Sequence, residues 1–413
     1  MPEPVAADAT LTHLAARARE ELTGNILPFW AQYAFDDSGW LRGVVHNDLS
    51  VDDAAPRHAV IVARILRTFA AASEVLPVMR DELHVTAQKA YDLLLGRFWD
   101  PVEGGVFWAL NPNGSVAASH KQVYAQAFTI YSLAEWHTAT GDERALANAM
   151  RTFELIEARA RDLVAGGYLD ALSRSWGSLE ETALSDKDLS VPKSMNTNLH
   201  VMEAYTRLLR VTNDYRVREA LHELVSAIIE HVVTLEPFAH CQLFFDFTWN
   251  SHVDIVSYGH DIEASWLIWD AWEALAAAGV QDPELAARAH SVALLLAEAV
   301  RTNGQDPDGG VLYEGTPNGV VNDQKQWWPQ AEGVVGWLNA YQLAGRPEDR
   351  AAALAAWDFI ENHVIDREHG EWFGALNRDG SVQRGGDNDL KIGPWKCPYH
   401  NARACLEIMR RVA

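Results

Sequence analysis

Two histidines, far apart in the chain, lie in segments whose composition suits catalysis. His260 lies in residues 257–266 (SYGHDIEASW) and His400 in residues 393–407 (GPWKCPYHNARACLE). Each histidine ends a loop that is rich in Gly, Pro or aromatic residues and begins a run with helical periodicity, a position where scaffolds present reactive groups. Because imidazole exchanges protons near neutral pH, two histidines facing each other across a pocket would remove a proton from one face of a carbon and return one to the other.

Three segments with helical periodicity carry pairs of side chains at spacings of three or four residues. The pairs are His260 with Glu263, Asn196 with His200, and Trp328 with Glu332. Residues at these spacings share one face of a helix. Polar groups in an otherwise apolar helix need partners, and a polar substrate is one candidate.

Several side chains have an ordinary structural interpretation beside the functional one. Arg64 is a charge inside the apolar run VIVARILRTF. Because arginine is seldom buried without an anionic or polar partner, both a structural salt bridge and a substrate contact are open for it. For Trp328 and Trp395, core packing and ligand stacking are equally open. Four further histidines in helical runs are interpreted as core or surface groups: His84, His137, His222 and His290.

Familiar catalytic and metal-binding motifs are absent from the sequence. It contains no GxxxxGK[ST] loop, no HExxH and no GxSxG. The histidines are too dispersed to predict a metal site, so no metal is expected. The three cysteines, Cys241, Cys397 and Cys405, form no CxxC pair, which favours a reduced protein without structural zinc.

Composition indicates a globular protein in the cytoplasm. The 413 residues are 48% apolar and 22% charged, with a net charge of −23 spread along the chain. An acidic, self-repelling surface argues against nucleic acid or an anionic membrane as partner. The N-terminus lacks the pattern of a signal peptide. No apolar run approaches the roughly 18 residues of a membrane helix.

A turn segment built on Asp and Gly recurs at intervals of about sixty residues, enough for two helices and their connections. Its copies begin near Asp36, Asp100, Asp162, Asp246 (a degenerate copy), Asp306 and Asp366. Between the turns, pairs of helical segments follow each other, as in residues 121–142 and 143–160. Aromatic stretches beside the glycines, such as GGVFWAL, predict brief hairpins on the loops.

Six helix pairs predict an all-α fold, an (α/α)6 barrel of about twelve helices with short β-hairpins on the loops, as a single catalytic domain over residues 1–413. Periodicity does not show closure, so an open helical solenoid is the alternative. Many of the sixteen tryptophans lie on turns or at the starts of first helices, which favours a closed ring with an aromatic mouth. Aromatic rings at a cavity mouth suit sugars, whose C–H faces stack on them.

Four long segments carry a family resemblance: residues 184–211 (LSDKDLSVPKSMNTNLHVMEAYTRLLRV), 257–275 (SYGHDIEASWLIWDAWEAL), 325–345 (KQWWPQAEGVVGWLNAYQLAG) and 393–411 (GPWKCPYHNARACLEIMRR). In this order they closely resemble the N-acylglucosamine 2-epimerase superfamily, with the cellobiose 2-epimerase branch nearest and mannose 2-epimerases next. The resemblance extends from about Asn25 to the C-terminus.

The resemblance implies an (α/α)6 barrel that needs no cofactor and epimerises C2 of a reducing-end aldose. The partner would be a small-molecule sugar, and the enzyme a monomer or homodimer. The two catalytic histidines of the family fall on His260 and His400. Its substrate-holding positions fall on Arg64, Tyr124, Asp188, Asn196, His200, Glu263, Trp328, Glu332 and Trp395, with Trp327 as the alternative to its neighbour.

The chain departs from the family pattern at a few positions. Asn198 stands where His is usual, and Arg57, His58, Val62 and Arg67 replace the common Lys, Gly, Asn and Trp. We expect the chemistry to survive these changes. The substrate stays open between a cellobiose-type β-1,4 disaccharide and free glucose or mannose.

The expected mechanism begins with opening of the sugar ring, because only the aldehyde acidifies the C2 proton. One histidine removes that proton, Arg64 and His200 stabilise the resulting cis-enediolate, and the other histidine protonates the opposite face. Return of the proton to C1 would give an aldose–ketose isomerase. Two alternatives belong to other classes: an inverting glycoside hydrolase using Glu263, Glu332 or Asp188, with carboxylates about 6.5–9.5 Å apart, and a non-catalytic helical scaffold.

Overall fold

The computed structural model describes residues 8–185, 188–251 and 253–412, and within them the chain forms twelve long helices. They are α1 (Ala9–Glu21, continued by Leu22–Ile26 and Leu27–Tyr33), α2 (Ala59–Val75), α3 (Arg80–Leu93), α4 (Val123–Thr140), α5 (Glu143–Arg159), α6 (Met195–Thr212), α7 (Tyr215–Ala227), α8 (Tyr258–Ala277), α9 (Pro283–Asn303), α10 (Trp327–Ala344), α11 (Pro347–Phe359) and α12 (Tyr399–Val412). Single π-helical turns extend α3, α7 and α11, over Leu94–Phe98, Ile228–Val232 and Ile360–Val364. None of the described helices is long and apolar enough to cross a membrane.

The helices form two concentric layers, and burial explains which helix belongs to which layer. The even-numbered helices are inner helices. In α2, 15 of 17 residues are buried, a pattern typical of a helix surrounded by protein. The odd-numbered helices are outer helices with one apolar stripe, such as Ala145, Ala149, Phe153 and Ile156 in α5. Each outer helix therefore packs this stripe against the inner layer.

The inner helices close into a ring. In sequence order each contacts the next, and α12 returns to α2. At this closure Thr68 Oγ1 donates to Pro398 O at 3.1 Å, and strand residue Val45 pairs with Ile392. The closed ring confirms the predicted (α/α)6 barrel, and the open solenoid is wrong. Helix α1 packs behind α12, so the two ends of the chain build the sixth helix pair.

Seventeen strands of two to four residues form seven small antiparallel sheets in the described part of the chain, confirming the predicted hairpins. They are β1 Val44–His46, β2 Val51–Asp52, β3 Arg57–His58, β4 Ala109–Leu110, β5 Val116–Ala118, β6 Lys121–Gln122, β7 Ala171–Leu172, β8 Lys193–Ser194, β9 Val233–Thr234, β10 His240–Cys241, β11 Phe244–Phe245, β12 Val256–Ser257, β13 Glu314–Thr316, β14 Gly319–Asn322, β15 Lys325–Gln326, β16 Ala375–Leu376 and β17 Leu390–Ile392. Strands β3, β6, β8, β12 and β15 each lead directly into an inner helix and pair with a strand of the following turn segment. This pairing links successive repeats at the N-terminal ends of the inner helices.

A buried lysine binds the aspartate of a turn segment in four repeats; three of these lysines lie in a strand that leads directly into an inner helix, and Lys391 lies in β17. The pairs are Lys121 with Asp100 at 3.1 Å, Lys193 with Asp162 at 2.8 Å, Lys325 with Asp306 at 2.9 Å, and Lys391 with Asp366 at 2.7 Å. Each ammonium group also lies 4.5–5.1 Å from the centroid of an aromatic ring. Because a buried lysine needs a charge partner, these pairs fix each turn segment against the strand that carries the lysine.

The fourth residue of four inner helices binds the backbone of a neighbouring loop. Gln126, Asn198 and Gln330 each accept from the N–H and donate to the C=O of one residue: Val106, Tyr168 and Val311 respectively. In α8 the equivalent residue is Asp261, which accepts from the N–H of Cys241 at 2.7 Å. Asn198, one of the departures from the family pattern, is thus engaged with the backbone.

Candidate functional site

A cavity of about 560 Å³ opens at the N-terminal ends of the inner helices, and all six of these helices contribute to its wall. Its lining includes both predicted catalytic histidines, His260 and His400. It also includes eight predicted substrate-holding residues: Arg64, Tyr124, Asp188, Asn196, His200, Glu263, Trp328 and Trp395. Glu332 does not line the cavity; it lies behind His400. The structure therefore brings the predicted residues together and gives one of them an indirect position.

His400, the second residue of α12, is held by a carboxylate behind it. Its Nδ1 lies 2.7 Å from Glu332 Oε1 and 3.8 Å from Glu263 Oε1. Glu332 also accepts from Trp266 Nε1 at 3.0 Å and Arg403 Nη2 at 2.7 Å. Because its other two partners are donors, Glu332 is best satisfied as a carboxylate that accepts from Nδ1–H of His400. Nε2 is then the ring nitrogen left to accept a proton.

His260, the third residue of α8, is held by a hydroxyl instead. Its Nδ1 lies 2.9 Å from Ser257 Oγ. Trp328 contacts both catalytic candidates, with ring centroids 4.8 Å from His260 and 5.5 Å from His400. Two imidazoles thus border one cavity beside a shared indole.

Both imidazoles are biased toward the neutral form. Burial, with a smaller contribution from His200, lowers the pKa of His260 to about 3. Burial, together with the positive charges of Arg64 and Arg403, holds the pKa of His400 well below its ordinary value. At neutral pH each ring is therefore unprotonated and keeps one nitrogen with a free lone pair.

One guanidinium connects the carboxylates beneath the cavity. Arg403 donates to Glu203 at 2.5 Å, Glu263 at 2.5 Å and Glu332 at 2.7 Å; we call these four residues the Arg403 network. Burial raises the pKa of Glu263 and of Glu332. The negative charge of Glu332 raises the pKa of Glu263 further, and that of Glu203 does so for Glu332, while Arg403 opposes both shifts. Burial also opposes ionisation of Glu203, but Arg403 and His200 outweigh it and hold its pKa below the usual range.

Within this network, Glu263 is best placed to keep a proton. It lines the cavity, and its Oε2 is buried with no hydrogen-bond partner among the described residues. Glu332 by contrast accepts bonds on both oxygens. A neutral Glu263 would present an O–H donor at the cavity wall.

Glu263, Glu332 and His400 also place three potential metal-ligand atoms within 4.8 Å of one another. Sequence spacing alone gave no sign of this convergence. Both carboxylates already share the positive charge of Arg403. The two carboxylates of this group are therefore arranged around the guanidinium of Arg403.

Arg64 is a buried cation without a carboxylate partner in the described part of the chain. Its guanidinium carbon lies 4.2 Å from the ring centroid of Phe128 and 4.7 Å from that of Tyr399. It donates to the Tyr124 hydroxyl and to Cys397 Sγ, while its Nε has no described partner. A structural salt bridge is therefore not its role here, and a cavity-lining cation suits a ligand that carries or develops negative charge.

His200 is tied to the Arg403 network through its Nδ1, which lies 2.9 Å from Glu203 Oε2. Burial lowers its pKa, although Glu203 opposes this. In the neutral ring Nδ1–H donates to Glu203, which leaves Nε2 as an acceptor. This arrangement suits a sugar hydroxyl better than an enediolate oxygen, which needs a donor.

The aromatic candidates occupy different parts of the wall. Trp395 lies 6.1 Å from Trp108 and 5.9 Å from Tyr124, between ring centroids. Both tryptophans of the 327/328 pair line the cavity. Trp328 contacts both histidines, whereas Trp327 contacts His400 alone, at 5.4 Å between ring centroids, and has Lys396 Nζ 4.4 Å from its own ring centroid. The geometry therefore favours Trp328 as the substrate contact.

Some residues of the site escaped sequence reasoning. Glu203 and Arg403 lie three residues after His200 and His400, the same helical spacing that singled out Glu263. His58, noted as a departure, lines the cavity with its ring centroid 5.4 Å from Trp108. The other departures, Arg57, Val62, Arg67 and Asn198, are not among the residues that line it.

Comparison with known proteins agrees with the fold. Residues 40–404 match the N-acylglucosamine 2-epimerase (GlcNAc 2-epimerase) family. The chain belongs to this family. The resemblance seen in the four sequence segments is thereby confirmed, and membership makes the chain a carbohydrate epimerase rather than a hydrolase or a scaffold.

Relatives within the family cover almost the whole chain. A cellobiose 2-epimerase of Bacteroides fragilis is 40% identical over 401 residues, which is 96% of this chain and 98% of the relative. A cellobiose 2-epimerase of Ruminococcus albus is 35% identical over 399 residues, covering 96% and 99% of the two chains.

Solved structures show the same fold. The cellobiose 2-epimerase of Bacillus thermoamylovorans superposes with a TM-score of 0.89 at 34% identity, over 97% of this chain and 100% of that one. A D-mannose isomerase superposes with a TM-score of 0.81 at 21% identity, over 99% and 100% of the chains, which shows the fold alone.

Proposed function

We propose that this epimerase inverts C2 of the reducing-end aldose of a cellobiose-type β-1,4 disaccharide, without a cofactor, by transferring protons between two histidines. The observation that carries the proposal is that His260 and His400 border one cavity, each with Nδ1 engaged by a neighbouring side chain. Relatives named cellobiose 2-epimerase over nearly the full chain support the choice of sugar.

The first step opens the sugar ring, because C2–H becomes acidic only beside an aldehyde. One imidazole takes the proton of the O1 hydroxyl, and Glu263 gives its proton to the ring oxygen O5. This assignment suits histidines that burial keeps neutral and a carboxyl whose pKa is raised, so that the histidine accepts a proton and the carboxyl donates one. The open aldehyde then lies between a protonated and a neutral imidazole.

The second step inverts C2. The neutral imidazole removes the C2 proton and leaves a cis-enediolate, whose negative oxygen is stabilised by the guanidinium of Arg64. The protonated imidazole then delivers the former O1 proton to the opposite face of C2. His200 holds a sugar hydroxyl through Nε2 during this exchange.

Ring closure restores the starting state. Glu263 takes back the proton of the O5 hydroxyl, and the imidazole that holds the former C2 proton returns it to O1. Both histidines are neutral again, and no proton is gained or lost over the cycle. The histidine that acts as base depends on which epimer enters, so the reaction is reversible with the roles exchanged.

The test is incubation of cellobiose, lactose, glucose, mannose and N-acetylglucosamine in D2O, followed by NMR. We expect a 2-epimer of cellobiose with one deuterium at C2, because the delivered proton comes from an exchangeable hydroxyl. Fructose-type products would show isomerisation instead. Faster turnover of free glucose or mannose than of cellobiose would overturn the proposed substrate.

His260→Ala and His400→Ala provide the variants for the mechanism. Each is expected to abolish C2 deuterium incorporation while circular dichroism shows a retained fold. His290→Ala, which removes a histidine of the outer helix α9, is the matched control and should exchange like the wild type. Exchange at the wild-type rate in either cavity variant would overturn the two-histidine assignment.

A further inference from the structure

A second, smaller cavity lies further along the inner helices, away from their N-terminal ends. It has a volume of about 50 Å³ and is bordered by side chains of α2, α4, α6, α8 and α12, with Arg67 among them; we call it the basal cavity. Arg403 and Glu203 belong both to its wall and to the Arg403 network. The proposed function leaves this cavity unexplained.

One arginine in the wall of the basal cavity has no carboxylate within hydrogen-bonding distance. Five arginines and four carboxylates line the cavity. Four of the arginines bind a carboxylate of the wall: Arg207 with Glu135 at 2.9 Å, Arg210 with Asp270 at 2.8 Å, Arg403 with Glu203 at 2.5 Å, and Arg410 with Glu407 at 3.0 Å. Arg403 also binds Glu263 and Glu332, outside the wall. Arg67 is the fifth arginine, and it has no such contact among the described residues.

Arg67 is buried without adequate hydrogen-bond partners. Its exposure is 1%, and only Nη2 makes a hydrogen bond, to the Tyr131 hydroxyl at 2.8 Å. Nε and Nη1 have no hydrogen-bond partner among the described residues. Glu135 is 3.9 Å from Nε, too far for a hydrogen bond, and its other oxygen binds Arg207. Burying two N–H groups of a cation without acceptors costs free energy of folding. We therefore infer that a bound group in the cavity accepts from them.

We propose that the basal cavity binds a monovalent anion of halide size, held by Nε and Nη1 of Arg67. A single negative charge offsets the single positive charge of Arg67 and supplies the acceptor that these two N–H groups lack. The volume is suitable, because a water molecule takes about 30 Å³ in the liquid and a halide is only somewhat larger. Exposed side chains in the wall, such as Arg410 at the end of α12, leave a route from solvent.

Bromide provides the direct test, because its anomalous scattering distinguishes it from water. Crystals of the full-length wild-type enzyme grown in sodium bromide should show an anomalous peak within hydrogen-bonding distance of Arg67 Nε and Nη1. Density there without an anomalous signal would mean that water fills the cavity and would overturn the proposal. This arm needs no variant, so it decides the question even if substitutions at Arg67 prevent folding.

Thermal unfolding gives a solution test. At constant ionic strength, replacing gluconate, which is too large for the cavity, with chloride or bromide should raise Tm saturably, as binding to the folded state requires. Arg67→Met should lose this response. Arg80→Met, which removes a more exposed arginine at the start of α3, should keep it. An equal halide response in Arg67→Met and wild type would overturn the proposal.

Discussion

Glu332 Oε1 lies 2.7 Å from Nδ1 of His400, and the contact determines which ring nitrogen is free for catalysis. Because Glu332 does not line the cavity, it acts through His400 as a positioning residue. Glu332→Gln removes the negative charge that fixes the tautomer of His400 and stabilises the protonated His400 ring. We expect kcat to fall by about 100-fold with a small change in KM, and the pH profile of kcat to shift.

The control for this prediction is Glu407→Gln, which neutralises another carboxylate of the barrel interior that binds arginine but no histidine. It should leave the pH profile of kcat unchanged. If Glu332→Gln affected only thermal stability and left kcat and its pH profile at wild-type values, the positioning role would be wrong.

Arg64 allows a test of the enediolate step. Its charge lies against the rings of Phe128 and Tyr399 and has no described carboxylate to neutralise it. Arg64→Lys keeps the charge but loses the planar fork, so we expect kcat to fall by about 100-fold to 1000-fold, the usual cost of an oxyanion donor. Steady-state kinetics with C2 deuterium incorporation would measure it.

Arg67→Lys is the matched substitution, since Arg67 is equally buried in α2 but faces the basal cavity. Its kcat should stay within a few-fold of the wild type. Comparable losses in both variants would show a general effect of disturbing α2, and would contradict a specific role for Arg64.

The repeat, the helix pairs and the hairpins could be predicted from the sequence because their signals are local. The turn residues recur around Asp36, Asp100 and their counterparts, and apolar periodicity fills the intervals. Closure of the ring had only an indirect signal in the sequence, the tryptophans on turns and at the starts of first helices. It depends on contacts such as Thr68 with Pro398, which join residues 330 positions apart.

The residues of the candidate site also differ in whether their signal was local. His260 and Glu263 lie on one turn of a helix, so their spacing in the sequence predicted that they share a face. The partner of His400 comes from another helix, so spacing grouped Glu332 only with Trp328 on its own helix, and the family resemblance placed it among the substrate-holding residues. The sequence showed Arg67 only as a departure from the family pattern. It did not predict the basal cavity, because the direction in which Arg67 faces depends on how α2 packs in the ring.

Asp261 occupies a position where three other inner helices have an amide, and we expect it to be protonated at neutral pH. Burial raises its pKa to about 8, whereas the unfolded chain ionises near pH 4. Its stability contribution is therefore complete below about pH 4 and is lost as pH rises through 8. Asp261→Asn should stabilise the protein by about 2 kcal/mol or more at pH 8 and hardly at pH 4, as measured by urea unfolding.

Asp246→Asn is the corresponding control with the opposite sign. Asp246 accepts from Asn250 and Thr248 in an exposed turn, and these bonds hold its pKa below the usual range. Its substitution should destabilise the protein at neutral pH. If Asp261→Asn were destabilising at pH 8 as well, the protonated state assigned to Asp261 would be wrong.

His58 gives the prediction for acid conditions. Burial lowers its pKa to about 4, and its Nδ1 is buried with no described partner. The unfolded chain binds this proton near pH 6.5, so the stability contributed by His58 is complete above that value and is lost as pH falls toward 4. Between pH 7 and 5.5 the loss from this group is about 1 kcal/mol, and His58→Gln should remove it from the wild-type decline in urea unfolding. His13→Gln, at an exposed position of α1, should decline like the wild type, and an equal decline in His58→Gln would show that His58 is not held neutral.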